Sequence, residues 1–186
     1  MIKAWNGLFP GRDLDMGKLY QASACLCIAV LVLAATLPAL GQDGERTETG
    51  TFIKDSERDG HGVLVVENNN PLNDNETRDA VAILIDANDT PTFAVYVREG
   101  ESFEVQGIED GVYDFYFTVG EVWDGELAAF LEPEFYRTEN PLPFETEIKD
   151  GQVIYTQWTL TLEEVPGGDE EKIPVPEELF PSLKED

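Results

Sequence analysis

The sequence is poor in cysteine, histidine and positive charge, and each shortage removes a class of function. Its only cysteines, Cys25 and Cys27, stand inside an apolar stretch near the start, so everything beyond residue 41 is free of thiols. That part can hold no disulfide, no thiolate metal site and no cysteine nucleophile. One residue separates the two cysteines, so they are not a Cys-x-x-Cys pair, and neither follows the apolar run as a lipidated cysteine does. His61 is the single histidine and lies between Gly60 and Gly62. One histidine cannot build a three-histidine zinc site, and a Ser-His-Asp arrangement would rest on a side chain that its glycine neighbours fix poorly. Gly-rich phosphate loops of the Gly-x-x-x-x-Gly-Lys-Ser/Thr and Gly-x-Gly-x-x-Gly kinds are missing as well.

Basic residues number 12 against 38 acidic ones, a formal net charge of −26. Beyond residue 41 there are 36 acidic and 9 basic side chains. Such a surface repels phosphate backbones and anionic lipid headgroups, which disfavours nucleic acid and a peripheral membrane site. Solubility, cationic partners, divalent cations and a saline milieu are the remaining uses. With so many carboxylates, some pair falls at glycosidase spacing by chance, so paired acids alone carry no weight.

A charge-free run extends from Leu19 to Gln42, with Lys18 before it and Asp43 and Glu45 after it. A positive flank, an apolar run and the small residues Ala39 and Gly41 behind Pro38 have the order of a secretory signal. Met16 is well placed as the true start, with Met16 to Tyr20 as a compact basic flank. The competing reading is an uncleaved anchor: the 19 residues from Ala22 to Leu40 come close to the ~20 that span a bilayer. Both readings put the acidic part outside the cytoplasm, secreted or membrane-anchored, because the positive flank stays inside. The expected organisation is a signal peptide or anchor at 1–41, an acidic linker at 42–60, one domain at 61–163 and an acidic, proline-rich tail at 164–186. Phe52 and its neighbours form a candidate short strand in the linker. Docking by Ile173, Val175, Leu179 and Phe180 is the alternative to a tail without fixed structure.

An apolar fraction of 42% with 10% aromatics is enough for a packed interior. Within 61–163 the pattern is strand after strand. Ala80 to Ile85 is apolar on both faces, which suits a central strand. Phe93, Val95 and Val97 share one face, as do Tyr113, Phe115, Phe117 and Val119. Ile154, Trp158, Leu160 and Leu162 are in phase along the last strand. Glu99-Gly100, Asp110-Gly111 and Asp150-Gly151 supply tight turns. Glu126 to Tyr136 is ambiguous and admits a short helix. Short strands at this spacing predict an all-β fold, an antiparallel sandwich or barrel.

Gly100, Phe103, Val105, Gly107, Gly111 and Tyr113 follow an order of turn glycine, Phe-x-Val strand and Gly-x-Tyr opening the next strand. In this the run from Val95 to Phe117 resembles the carboxypeptidase regulatory-like domains, which are transthyretin-like sandwiches. Asp110 stands where that family usually has proline, and nothing after Gly120 follows its pattern. The resemblance implies an antiparallel β-sandwich, transthyretin-like or immunoglobulin-like, and a non-catalytic accessory or adhesion-like module. It brings no catalytic residue with it.

The expected function is therefore non-enzymatic: an extracytoplasmic binding or structural module whose partner is a protein or a glycan. A carbohydrate-binding module is the alternative, with Trp123, Phe135 and Tyr136 as the sugar-stacking platform. A hydrolase is third. Membrane contact is expected only through the N-terminal segment, if it is not cleaved. No cofactor is implied. Calcium is the one ion with candidate ligands, at Asn73, Asp74, Asn75, Glu76 and Asp79 and again at Asp86, Asn88 and Asp89, where ordinary Asx turns are the competing reading.

Overall fold

A computed structural model describes residues 3–10, 46–69, 78–162 and 171–183. The described part is all-β. Its strands are β1 (Lys3–Pro10), β2 (Phe52–Asp55), β3 (Gly62–Glu67), β4 (Asp79–Ile85), β5 (Pro91–Val97), β6 (Ser102–Ile108), β7 (Gly111–Gly120), β8 (Trp123–Asp124), β9 (Ala129–Phe130), β10 (Glu134–Thr138), β11 (Leu142–Phe144), β12 (Thr146–Lys149), β13 (Gln152–Thr161) and β14 (Lys172–Pro174). A single 3-10 turn at Glu177–Leu179 completes it. No helix among the described residues is long and apolar enough to cross a membrane. The apolar run from Leu19 to Gln42 lies outside those residues, as does the boundary placed after Gly41.

One sheet has the order β1-β13-β3-β6, with β12 also paired to β13. The other runs β14-β10-β7-β4-β5-β2, with β11 also on β7, and β8-β9 is a separate small ribbon. All pairs are antiparallel except β3 with β13, which run parallel from Gln157↔Val63 to Thr161↔Glu67. The expected antiparallel arrangement describes the other pairs among the described strands, and this one departs from it for a topological reason. These two strands lie far apart in sequence, so no hairpin constrains their direction.

Side-chain alternation explains how the sheets pack. Leu64, Val66, Val105, Leu160 and Leu162 from the first sheet meet Ala82, Leu84, Phe93, Val95, Phe115 and Phe117 from the second in one core. Burying each Val, Leu or Phe side chain among them contributes roughly 1.5–3 kcal/mol. Trp158 packs at the core's margin and donates its indole N–H to the Pro143 carbonyl at 2.9 Å. The alternate residues of the second sheet face away from that core. Val81, Ile83, Ile85, Ala94 and Tyr96 form a second buried cluster with Phe130. That is why β4 is apolar at both parities: it is central in its sheet and covered on both faces.

The second cluster needs an outer layer, and the chain provides it twice. Trp123 and Phe130 on the β8-β9 ribbon cover one part, and Phe180 and Leu183 near the C-terminus cover another. The C-terminal segment is pinned by β14, which pairs with β10 from Tyr136↔Pro174 to Thr138↔Lys172. Docking is thus realised through Phe180, whereas Leu179 points outward at 69% exposure. The described part of 42–60 is likewise laid along a sheet edge, β2 pairing with β5. In 126–136 the chain forms turns and strands instead of a helix. Asp124 Oδ1 accepts the N–H groups of Glu126 and Leu127, and Ala128 turns the chain at φ 50°.

The turns follow the sequence more closely than the pairings do. Asp150 and Gly151 both have positive φ, 54° and 78°, and close a two-residue hairpin between β12 and β13. The turns at Glu99-Gly100 and Asp110-Gly111 instead carry the chain from one sheet to the other, because β6 pairs with β3 while β5 and β7 belong to the opposite sheet. Asn68 braces the first of these. Its side-chain amide donates to the carbonyls of Arg78 and Val97, and Gly100 donates its N–H to the Asn68 carbonyl at 2.7 Å.

Candidate functional site

The three aromatic residues expected to form a platform are placed on two faces. Tyr136 lies on the core side of β10, its ring stacked on Phe117 at 5.2 Å. Lys172 Nζ sits 4.3 Å from the centre of the same ring, and the Tyr136 hydroxyl donates to Glu134 at 2.7 Å. Phe135 is next in the strand and so points the other way, onto Phe180 with centroids 4.5 Å apart. Trp123 packs edge-on against Tyr96 at 5.5 Å and Phe130 at 5.0 Å. Phe135 and Trp123 therefore share the outer face of the second sheet, and Tyr136 does not. Tyr96, Phe130 and Phe180, which hold them there, were not legible as partners, because their contacts depend on strand order.

Two depressions border this outer face. The larger, about 480 Å³, is lined by Val119 to Val122 and Leu131 to Glu134, with Arg78 paired to Glu134 at 3.2 Å. The smaller, about 360 Å³, lies between the β8-β9 ribbon and the C-terminal segment and is lined by Phe130, Phe135, Phe180 and Leu183. Thr118 also lines it, and among the described residues nothing lies within hydrogen-bond reach of its buried hydroxyl.

The most developed polar group is at the end of β4. The Asp79 carboxylate is 2% exposed. It accepts from Arg46 Nε at 2.7 Å and from Arg46 Nη2, from the Tyr96 hydroxyl at 2.6 Å, and from the Glu99 N–H at 2.9 Å. Burial alone pushes this carboxyl up, but Arg46, Tyr96 and the Glu99 N–H together outweigh it and hold it below the usual range. Burial first, and then the bond to Asp79, hold the Tyr96 phenol above its ordinary range, so it stays protonated and donates. Arg98 extends the group by donating to the carbonyls of Thr47 and Arg46. The segment after residue 45 is thus clasped to the ends of β4 and β5, and no oxygen of Asp79 is left for catalysis.

Asp86, in the second candidate ion cluster, is also engaged. Asp86 Oδ1 accepts the N–H groups of Asn88 at 2.8 Å and Thr90 at 2.9 Å, an Asx turn with Asp89 at φ 58°. These backbone bonds, that of Thr90 foremost, hold Asp86 below the usual carboxylate range. Glu134 is lowered too, first by the Tyr136 hydroxyl and further by Arg78. Residues 73–76 lie outside the described part. Among the described residues no three His, Cys, Asp or Glu side chains gather as a metal site. His61 is exposed at the start of β3. No family model matches the chain, and no curated protein and no solved structure is significantly similar to it.

Proposed function

We propose that this chain is an extracytoplasmic, non-enzymatic β-sandwich module, transthyretin-like or immunoglobulin-like, that works by binding or as a structural element. The observation that carries the reading is the use made of its perturbed acids. Asp79, Asp86 and Glu134 are all held below the usual range by bonds within the fold: Asp79 by Arg46, Tyr96 and the Glu99 N–H, Asp86 by the N–H groups of its own turn, and Glu134 by Tyr136 and Arg78. A general acid at neutral pH needs a carboxyl raised toward 7, the opposite shift. The sandwich assignment has its own support at Tyr113, near the start of β7. Its hydroxyl donates to the Glu109 carbonyl at 3.1 Å, the geometry of a tyrosine corner. Export rests on the charge-free run behind Lys18 and the small residues that end it.

A carbohydrate-binding module is the second reading, favoured by the gathering of Trp123, Phe130, Phe135 and Phe180 on one outer face. Expression of the full-length chain in a secreting host, followed by fractionation and N-terminal sequencing, tests the first reading. A mature start between Ala39 and Asp43 outside the cell is expected; an intact N-terminus recovered from cytosol refutes export. Retardation in polysaccharide gels that is lost in Trp123→Ala and Phe135→Ala would move the assignment to the second reading.

A further inference from the structure

Strand β13 is built as an interior strand, and its cover on one side comes from the far end of the chain. The eleven residues from Gln152 to Leu162 carry no charge, although the chain as a whole has a net charge of −26. On one side β13 pairs with β12 and then β3. On the other it pairs antiparallel with β1 over eight positions, from Lys3↔Thr161 to Pro10↔Ile154. Proteins blunt a sheet edge with lysine, proline or charge, because an unblunted edge templates pairing with another strand. β1 has Lys3 at one end and Pro10 at the other, as an edge strand should. β13 has neither.

The link between β1 and the body is also unusual. Thirty-five residues, 11–45, separate Pro10 from Arg46, and the charge-free run 19–42 is among them. If that run enters a membrane, β1 and β13 end on opposite sides of it. If it is cleaved after residue 41, β1 leaves with it. Pairing of β1 with β13 and export of the body therefore exclude each other within one chain.

We propose that the β13 edge at 154–161 is a strand-acceptor site, covered by β1 before export and open to a partner's strand after it. The occupant is an extended peptide segment of about eight residues, antiparallel to β13 and without acidic side chains. Its charge follows from the sequence: the strand that fits carries only Lys3, the acceptor is neutral, and the surrounding body repels acidic peptides. Opening by export rests on the reading given above; the acceptor property does not, and the two are tested separately.

The test uses the purified full-length chain and a labelled synthetic peptide of sequence Lys3–Pro10. Replacing Asn6→Pro together with Gly7→Pro in the chain removes two consecutive N–H groups, one of which must face β13, and so frees β1. The variant is expected to bind one peptide per chain at least about tenfold more tightly than the unmodified chain, whose own β1 competes at high effective concentration. A peptide carrying the same two prolines does not bind. A folded variant that ignores the peptide, or that only dimerises, overturns the proposal. Should the variant not fold, hydrogen exchange on the unmodified chain decides it. Between Gln157 and Thr161 the amides facing β1 should exchange about tenfold faster than those facing β3, because β1 opens alone. Equal exchange on both sides overturns the proposal, whatever N-terminal sequencing says of export.

Discussion

Replacing Asp79 by alanine tests whether one buried carboxylate fastens the entry segment to the sheet. The substitution strands three donors. Tyr96 is 1% exposed, and an unpaired buried hydroxyl costs about 1–3 kcal/mol. The Glu99 N–H, part-buried, adds about 1 kcal/mol. Arg46 is 45% exposed and regains water, so its share is about 1 kcal/mol or less. The expected loss is about 3–4 kcal/mol, within the range for breaking a buried charge pair. Tyr96→Phe and Arg46→Ala each remove a single partner and should lose about 1–2 kcal/mol. Urea unfolding followed by tryptophan fluorescence reads all three, since the Trp123 ring lies 5.5 Å from that of Tyr96. The pH dependence has a definite sign. Asp79 is lowered in the folded chain, so the unfolded chain takes up its proton first as pH falls. Its contribution is complete above about pH 5 and is lost as pH drops through the folded pKa. Asp79→Asn should flatten that part of the stability curve. An Asp79→Ala chain within about 1 kcal/mol of the unmodified protein, or an unchanged acid slope in Asp79→Asn, would refute the reasoning.

Three further substitutions probe the layers. Thr118→Val removes a buried hydroxyl that has no partner among the described residues and should stabilise by about 1 kcal/mol, read as a higher urea midpoint. Gly60→Ala should destabilise by about 3 kcal/mol, read in the same titration, because the new methyl would stand 2.1 Å from the Ile108 carbonyl oxygen and backbone cannot rotate away. Phe180→Ala strips rings from Phe135 and Tyr116; since Phe180 is half-buried, a loss of about 2 kcal/mol is expected, visible as a lower melting temperature. With the Asp86 turn closed by its own backbone, excess calcium and chelator should give the same melting temperature; a rise with calcium would refute the Asx-turn reading.

The strands were legible wherever a short-range rule governs them. The alternation of Tyr113 to Val119 and the double-faced run of Ala80 to Ile85 led directly to the two faces now seen buried. Asp150-Gly151 led to its hairpin because two positive φ values suit that pair. What could not be read was which strand lies beside which. The Glu99-Gly100 turn looks like a hairpin turn and instead joins two sheets, since Asn68, distant in sequence, bonds to Val97 and Gly100 and fixes the crossing. The placement of the three platform aromatics on two faces has the same cause. Trp123, Phe135 and Tyr136 are near in sequence, but adjacent strand residues face opposite ways, so Tyr136 joins Phe117 while Phe135 joins Phe180. The Asp79 clasp joins residues 33 apart in sequence, and no local spacing announces it.

In a chain this acidic, charge-free runs mark where chain must cover chain. Ala80 to Ile85 is such a run, and both its faces and both its edges are covered, by β5 and β7 in the sheet and by the two apolar clusters above and below. Thr90 to Val97 is another, with β4 on one side and β2 on the other. Gln152 to Leu162 is the longest within the body, and it meets the same rule only while β1 is in place. An acidic side chain at any of its outward positions would have protected a permanent edge through repulsion. Its absence from eleven successive positions, in a chain with 38 acidic residues to place, means that β13 is suited to a neighbour on both sides, and that without β1 it would be an edge that its own composition leaves unguarded.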